Sequence, residues 1–118
     1  MRRIALGLLA AIALAGCGPK PAPPPTLAQA QAMAPADGRL AALYETSCKA
    51  CHAVPGSGAP LVGDKAAWDG RYNKGLPVLV GRVVTGYKGM PAGGQCTACT
   101  AKDFELLIEF MAGQESSK

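Results

Sequence analysis

The sequence has 118 residues, enough for one small domain, and combines a hydrophobic content of 49% with only 5% aromatic residues. A chain of this size with few large side chains rarely gains more than about 3–5 kcal/mol from its core alone, so we expect disulfides or a buried cofactor. The formal net charge is +4, or +2 without Arg2 and Arg3 (ten basic against eight acidic residues), and no basic run is interleaved with aromatics, which argues against nucleic acid as a partner.

The N-terminus has the pattern of an export signal. Arg2 and Arg3 precede an apolar run over 4–14 that is too short to span a bilayer comfortably. The run ends in Leu-Ala-Gly-Cys at Cys17, which resembles a bacterial lipobox, where the cysteine is lipidated and becomes the mature N-terminus. We therefore predict a lipoprotein signal peptide over 1–16 and lipidation of Cys17. A buried helix and ordinary cleavage that leaves a free thiol are the alternatives.

The region 17–36 is predicted to be a tether. After the cysteine it contains six prolines and no large apolar side chains at a regular period. This composition predicts a semi-extended linker of polyproline type, with some helix from Leu27 to Met33, that lets a globular head stand off the membrane. Because Gly18 rather than Asp follows Cys17, analogy with lipoprotein sorting in Gram-negative bacteria favours the outer membrane over the inner one.

The head is predicted to run over 37–113 and to be all-helical, with a disordered tail over 114–118. Residues at positions 40, 43, 44 and 47 share one largely apolar helical face. This spacing predicts a first helix that leads into Cys48.

Three further helices are predicted after it. Asp64 is placed to cap a short helix that ends near Gly75. An apolar stripe over 76–87 predicts the next helix, with a strand as the alternative. Thr100 and Asp103 fit a capping box before the last helix, whose apolar face is at positions 104, 107, 108 and 111.

The run from Cys48 to His52 reads C-x-x-C-H, the signature of c-type haem attachment. Two thiols three positions apart at the end of a helix can add to the two vinyl groups on one side of a porphyrin. The adjacent histidine then projects its imidazole over the iron. We therefore predict one covalently bound haem c, attached through Cys48 and Cys51, with His52 as an iron ligand.

The motif has two alternative interpretations. A thioredoxin-like redox pair would follow a strand in a βαβ unit, whereas the local pattern is helical. A zinc site would need a second cysteine pair, and Cys96 and Cys99 offer one, with His52 as a further ligand. Because His52 is the only histidine, a role in the core would leave the motif unexplained.

The sixth iron ligand is expected to be a methionine. Met33 lies in the tether, and Met111 lies on the apolar face of the last helix, where core packing explains it. Met90 lies in a loop between Gly89 and Pro91, which favour a defined turn, so we predict Met90 as the sixth ligand. An incidental loop methionine is the alternative. Ligation by methionine and histidine raises the reduction potential and closes the sixth position, which argues against oxygen chemistry.

Together these features resemble the class I cytochromes c, which are single-haem electron carriers. The match runs over 38–113. It takes in Gly38 and Tyr44 on the first helix, the C-x-x-C-H motif, the Gly-Ala-Pro segment at 58–60, the Met-Pro pair at 90–91 and Phe110 on the last helix. The resemblance implies a small all-α fold of about four helices around one haem. It also implies that the first and last helices cross, with Gly38 or Ala41 against Phe110.

Two features narrow the resemblance to the cytochrome c-five subgroup. One is the Gly-Asp-Lys-Ala-Ala-Trp run over 63–68, with Arg71 following, and the other is the cysteine pair after the methionine loop. In that subgroup the pair is a disulfide, so the resemblance implies a Cys96–Cys99 bridge. A thiol–disulfide switch is the alternative for this pair.

The resemblance also gives supporting roles to three residues. The carbonyl of Pro60 would accept a hydrogen bond from Nδ1 of His52, which orients the ring and tunes its basicity. Trp68 and Arg71 are candidates for contacts with the haem propionates. Alternatively, Trp68 packs on the haem edge and Arg71 is solvated.

The predicted function is electron transfer by a membrane-tethered, one-electron carrier on the periplasmic face of a bacterial membrane. Its partners would be periplasmic redox proteins bound transiently. Four lysines are candidates for steering acidic partners: Lys49, Lys65, Lys74 and Lys88. An ordinary solvated surface is the alternative for them. A haem-based sensor or gas-binding module and an electron-entry subunit of a larger oxidoreductase are the rival functions. Catalysis by the chain alone is not expected, because no second titratable cluster accompanies the motif.

Overall fold

The computed structural model describes residues 18 and 20–114. The predicted signal peptide, Cys17 and residues 115–118 of the predicted tail lie outside the described residues. Across the described ranges the chain forms helices and no strand. None of these helices has the length and hydrophobicity needed to cross a membrane.

The described residues form six α-helices joined by loops. Their bounds are α1 (Leu27–Ala32), α2 (Gly38–Thr46), α3 (Lys49–His52), α4 (Lys65–Tyr72), α5 (Leu76–Thr85) and α6 (Ala101–Met111). The all-helical prediction is confirmed, and the four predicted helices of the head correspond to α2, α4, α5 and α6. Helix α5 ends two residues earlier than its apolar stripe suggested, because Gly86 has a φ of +84° and turns Tyr87 into the following loop.

Side chains cap three helices of the head, α2, α4 and α6, at their first turns. Asp37 and Asp64 each accept a hydrogen bond from the backbone N–H three residues on, at 2.8 and 3.2 Å. Thr100 and Asp103 form the predicted capping box of α6. These acceptors satisfy N–H groups that have no partner within the helix, which fixes where each helix begins.

Helices α2 and α6 meet through two aromatic rings. The ring centroids of Tyr44 and Phe110 are 5.0 Å apart with planes at 81°, an edge-to-face pair. Tyr44 is fully buried, and burial raises the pKa of its hydroxyl to about 12. The resemblance implied Gly38 or Ala41 against Phe110, whereas the ring that meets Phe110 is Tyr44, and a Cβ added to Gly38 would have nothing within 4 Å. The crossing therefore depends on the aromatic pair and not on close approach at this glycine.

An ion pair also joins these two helices. Arg39 on α2 donates to both carboxylate oxygens of Asp103, which is only 1% exposed. Thr100 adds two hydrogen bonds to the same carboxylate, each 2.9 Å long. The guanidinium and these donors hold the pKa of Asp103 well below its usual range. One carboxylate thus caps α6 and ties it to α2.

Part of the predicted tether is packed on the head. Thr26 and Gln29 form a capping box that begins α1, and the small side chain of Ala30 is fully buried. Gln31 donates to a backbone carbonyl of the head, and Met33 packs on the core. The helix predicted from Leu27 to Met33 is present as α1, and residues 20–24 are exposed and without helix, as predicted for the linker. Ala30 and Pro35 are buried, so this region is not a free linker throughout.

The Asp103 ion pair should appear in the pH dependence of stability. Because the folded-state pKa is lowered, its stabilisation is complete above about pH 4, the ordinary pKa of aspartate, and is lost as the pH falls through the folded-state value. We expect Asp103→Asn to lower the Tm by several degrees at pH 7 and by less at pH 3, measured by circular dichroism. Glu105→Gln is the control, since its pair with Lys102 is exposed. Equal Tm values for D103N and the wild type at pH 7 would contradict the assignment.

Candidate functional site

The head encloses one large cavity, of about 630 Å³. This volume lies in the range of sites that bury a ligand the size of a cofactor. Most of its apolar wall comes from α4, α5 and α6, through Trp68, Leu79, Val83, Ile108 and Met111. The remaining wall includes the attachment motif and the methionine loop, through Cys48, Cys51, His52, Pro60 and Met90.

The attachment motif forms a single helical turn at the edge of this cavity. The backbone N–H of His52 donates to the backbone carbonyl of Cys48 at 2.9 Å, which closes the turn. Cys48 is half-buried, Cys51 is exposed, and both line the cavity without forming a disulfide. Burial raises the pKa of the Cys48 thiol. One turn of helix thus brings both sulfur atoms and the imidazole to the same opening.

His52 is held in one orientation by the loop that follows it. Its Nδ1 lies 2.8 Å from the carbonyl oxygen of Pro60, so Nδ1 carries the proton and Nε2 keeps a free lone pair. The ring is 6% exposed, and this burial lowers the pKa of His52. The neutral imidazole is the form that binds a metal ion.

The loop over 53–63, which follows His52 and is called the histidine loop, is fixed from several directions. The Val62 N–H donates to the His52 carbonyl at 2.7 Å, and the Gly63 N–H donates to the Met111 carbonyl at 2.9 Å. Trp68 donates its indole N–H to the Leu61 carbonyl at 2.8 Å. These bonds place the loop, and with it the carbonyl that orients the histidine.

The two candidates for propionate contacts differ in what they offer the cavity. The Trp68 ring stacks on the His52 ring, with centroids 5.9 Å apart, and its N–H is used by the loop. Trp68 therefore contributes a packed ring and has no free donor for a carboxylate. Arg71 is exposed, lines the cavity and donates to the carbonyl of Ala67 one turn earlier.

Met90 lies in a tight loop whose backbone is well defined. It exchanges two hydrogen bonds with Tyr87, at 3.0 and 2.9 Å. Two glycines leave room for this loop. A Cβ on Gly94 would lie 3.1 Å from Cε of Met90, and one on Gly86 would lie 3.1 Å from the Met90 carbonyl oxygen. These glycines were not singled out in the sequence, although their spacing around a Met-Pro pair is a usable signal.

The other methionines have different surroundings. Met111 also lines the cavity, but its carbonyl is bound to Gly63 on the side of the histidine loop. Met33 does not line the cavity and instead packs against Gly63.

Cys96 and Cys99 are joined as a disulfide, with their Cα atoms 5.4 Å apart, immediately before α6. Neither lines the cavity. Across the described ranges, no three His, Cys, Asp or Glu side chains converge in a way that could hold a metal ion. The zinc interpretation therefore has no support, and the residues around the cavity fit the predicted haem.

Cationic side chains surround the cavity. Of the four predicted lysines, Lys74 and Lys88 line it. Lys49 and Lys65 instead form ion pairs with acidic side chains one helical turn away. Arg82 also lines the cavity and lies 4.1 Å from the ring centroid of Tyr87; the sequence alone did not indicate it, since it interrupts an apolar stripe.

Known proteins resemble this chain over the same region. Residues 35–111 match the family model described as Cytochrome C oxidase, cbb3-type, subunit III. Cytochrome c-555 of Chlorobaculum tepidum is 42% identical over 77 residues, covering 62% of this chain and 71% of that protein. Cytochrome c5 of Ectopseudomonas mendocina is 35% identical over 68 residues, covering 56% of this chain and 78% of that protein.

A solved structure resembles the fold. It is described as the crystal structure of an electron transfer complex of nitrite reductase with cytochrome c, and the similar chain has a TM-score of 0.58 and 31% identity. The similarity covers 66% of this chain and 95% of that chain.

The glycine at the start of the methionine loop provides a test of this geometry. Gly86→Ala would put a Cβ 3.0 Å from the backbone N of Ala92, at a φ of +84° that side chains rarely adopt. We expect a loss of about 1–3 kcal/mol in the free energy of unfolding, measured by denaturant titration. Gly89→Ala in the same loop is the matched control, because a Cβ there would meet nothing within 4 Å. Equal losses in the two variants would argue against this loop conformation.

Proposed function

The chain belongs to the class I c-type cytochromes, similar to cytochrome c5, with one haem c on Cys48 and Cys51, and we propose that it carries single electrons between periplasmic redox proteins. The observation that carries this proposal is the convergence of the two thiols, the Nε2 of His52 and the Met90 side chain on one cavity. The bound haem supplies an iron that changes between ferric and ferrous states. His52 and Met90 would hold that iron, and the residues around them would keep both side chains in place.

We propose His52 and Met90 as the two axial ligands. The hydrogen bond from His52 to Pro60 keeps the ring in one orientation in both oxidation states, which keeps reorganisation small. Met90 is supported by its place in the cavity wall, beside Gly94. A thioether ligand raises the reduction potential and closes the iron to exogenous gases.

Charge around the cavity supports a role for Arg71 toward the haem propionates and for the other cations toward a partner. The cavity is lined by Arg71, Lys74, Arg82 and Lys88, and by no acidic residue of the described part of the chain. A rim of one sign attracts an oppositely charged surface and accelerates encounter. We therefore propose acidic redox proteins as partners, held in small, short-lived interfaces. The similar cytochrome in complex with nitrite reductase supports a redox enzyme as one such partner.

We propose that the head is held on a membrane by lipid on Cys17, after removal of the signal over 1–16. The support is the lipobox pattern and its charged and apolar upstream context. Several acyl chains bind a membrane stably, whereas one chain binds only marginally. The same pattern supports the periplasmic face of a bacterial membrane, with Gly18 favouring the outer one.

Redox spectroscopy tests the electron-transfer function. We expect the ferric wild-type protein to show the sulfur-to-iron charge-transfer band in the red, to titrate reversibly as a one-electron couple and to exchange electrons rapidly with a small periplasmic donor. Met90→Ala should lose the band and lower the midpoint potential by a sizeable part of the roughly 0.8 V range that axial ligands span.

Met111→Ala is the matched control for this variant, because Met111 lines the same cavity on the histidine side. It should keep the band. A wild-type protein that lacks the band and binds carbon monoxide readily would instead favour a haem-based sensor.

Cell fractionation tests the anchor. We expect the full-length protein, expressed with its own signal, to sediment with membranes and to incorporate labelled fatty acid. Cys17→Ser should appear in the soluble periplasmic fraction with an unchanged haem spectrum. Membrane association that persists in C17S would contradict lipidation at this residue.

A further inference from the structure

The docked part of the predicted tether lies against the loop that orients His52. We define the segment 24–35 as the strap, since Pro24 is its first contact and Pro35 is its last buried residue. Only Pro35, the last residue of the strap, falls within the region 35–111 that matches the family model. It is therefore an addition to the shared domain, and its contacts need their own explanation.

The strap contacts the beginning of the histidine loop through Gln31. Its Nε2 donates to the carbonyl of Ala53 at 3.0 Å, across 22 positions of sequence. Ala53 is fully buried and directly follows His52. The neighbouring Ala30 is also fully buried, so α1 packs closely here.

The strap contacts the end of the same loop through Met33. A Cβ on Gly63 would lie 2.8 Å from Cε and 2.9 Å from Sδ of Met33, so the thioether lies directly on the glycine backbone. Gly63 has a φ of +75° and donates its N–H to Met111. Pro24 lines a shallow groove with Pro60, between these two contacts.

The loop is held by hydrogen bonds from its surroundings and not by secondary structure of its own. Between its two ends it contains no helix or strand, and Gly56 and Gly58 have positive φ values. The Pro60 carbonyl must nevertheless stay within hydrogen-bond distance of His52 Nδ1. Contacts at both ends reduce the conformations available to such a segment.

We propose that Gln31 and Met33 are positioning residues for the iron ligand: they hold the loop so that Pro60 keeps its hydrogen bond to His52. The proposal rests on His52 as the ligand, as in the proposed function. Loss of the strap contacts weakens the bond at Nδ1 and makes Nε2 a poorer electron donor. The ferrous state, which needs less donation, is then favoured.

The test uses the haem-loaded full chain with Gln31→Ala and Met33→Ala. The first readout is hydrogen exchange at the Val62 N–H, which is bound to the His52 carbonyl. Gln31→Ala loses one hydrogen bond, about 1 kcal/mol net, which raises the exchange of the Val62 N–H by about fivefold. Met33→Ala loses the contact with Gly63 and should raise the same exchange. The N–H of Leu107, inside α6 and 1% exposed, reports global opening and should change less.

The second readout is the ratio of ferrous to ferric protein at a fixed solution potential, which should rise in both variants by up to about fivefold on the same hydrogen-bond scale. Met33→Leu should restore the wild-type ratio, because leucine keeps the contact with Gly63. Leu27→Ala, on the same helix with Leu27 53% exposed, is the control and should change neither readout.

Two results would overturn the proposal. One is a proportional rise in exchange at Val62 and Leu107, which would indicate global destabilisation only. The other is an unchanged ferrous-to-ferric ratio in both variants. The red charge-transfer band should persist in all strap variants, so failure of the Met90 assignment is seen separately in the wild-type spectrum.

Discussion

An imidazole can hold iron steadily only while its ring keeps one orientation and one tautomer, and in this chain the Pro60 carbonyl sets both for His52. Much of the surrounding structure fixes the position of that carbonyl. Trp68 binds the loop from α4, and Met111 binds it from the end of α6. Because α6 is tied to α2 through Asp103, the histidine loop is connected to the main helix crossing of the domain.

The two sides of the cavity are stabilised in different ways. On the histidine side, backbone hydrogen bonds and a stacked indole ring hold an irregular loop. On the methionine side, a tight turn and two glycines let Met90 approach α5 and the turn after it closely. The first arrangement orients the histidine proposed as a ligand, and the second makes space for the methionine proposed as the other. The proposed electron transfer requires both, because neither ligand should move when the iron changes charge.

The sequence predicts best the features that depend on neighbouring residues. The C-x-x-C-H motif, the caps at Asp64 and Thr100, and the methionine turn are all local, and the structure places each where its pattern indicated. Features that depend on distant partners were harder to predict. The indole N–H of Trp68 donates to the carbonyl of Leu61, seven residues earlier, and is therefore not free for a propionate. Sequence spacing does not indicate this partner.

The strap and the helix crossing show the same limit. A segment rich in proline and alanine has the composition of a free linker, and nothing local indicates that Gln31 meets a carbonyl 22 positions away. At the crossing, Gly38 or Ala41 was expected opposite Phe110, and Tyr44 is found there. The difference depends on helix rotation, which an apolar face specifies only within about one residue.

The docked strap also changes the volume that the domain can explore. A fully extended linker over 17–36 would span about 68 Å at roughly 3.4 Å per residue, whereas the part over 17–23 would span at most about 24 Å. A lipid on Cys17 would then confine the haem edge to a layer close to the bilayer. Since the accessible volume scales with the cube of the reach, the effective concentration toward a partner in the same membrane rises by roughly twentyfold. A carrier held in this way exchanges electrons with neighbours in its own membrane more often than with proteins across the periplasm.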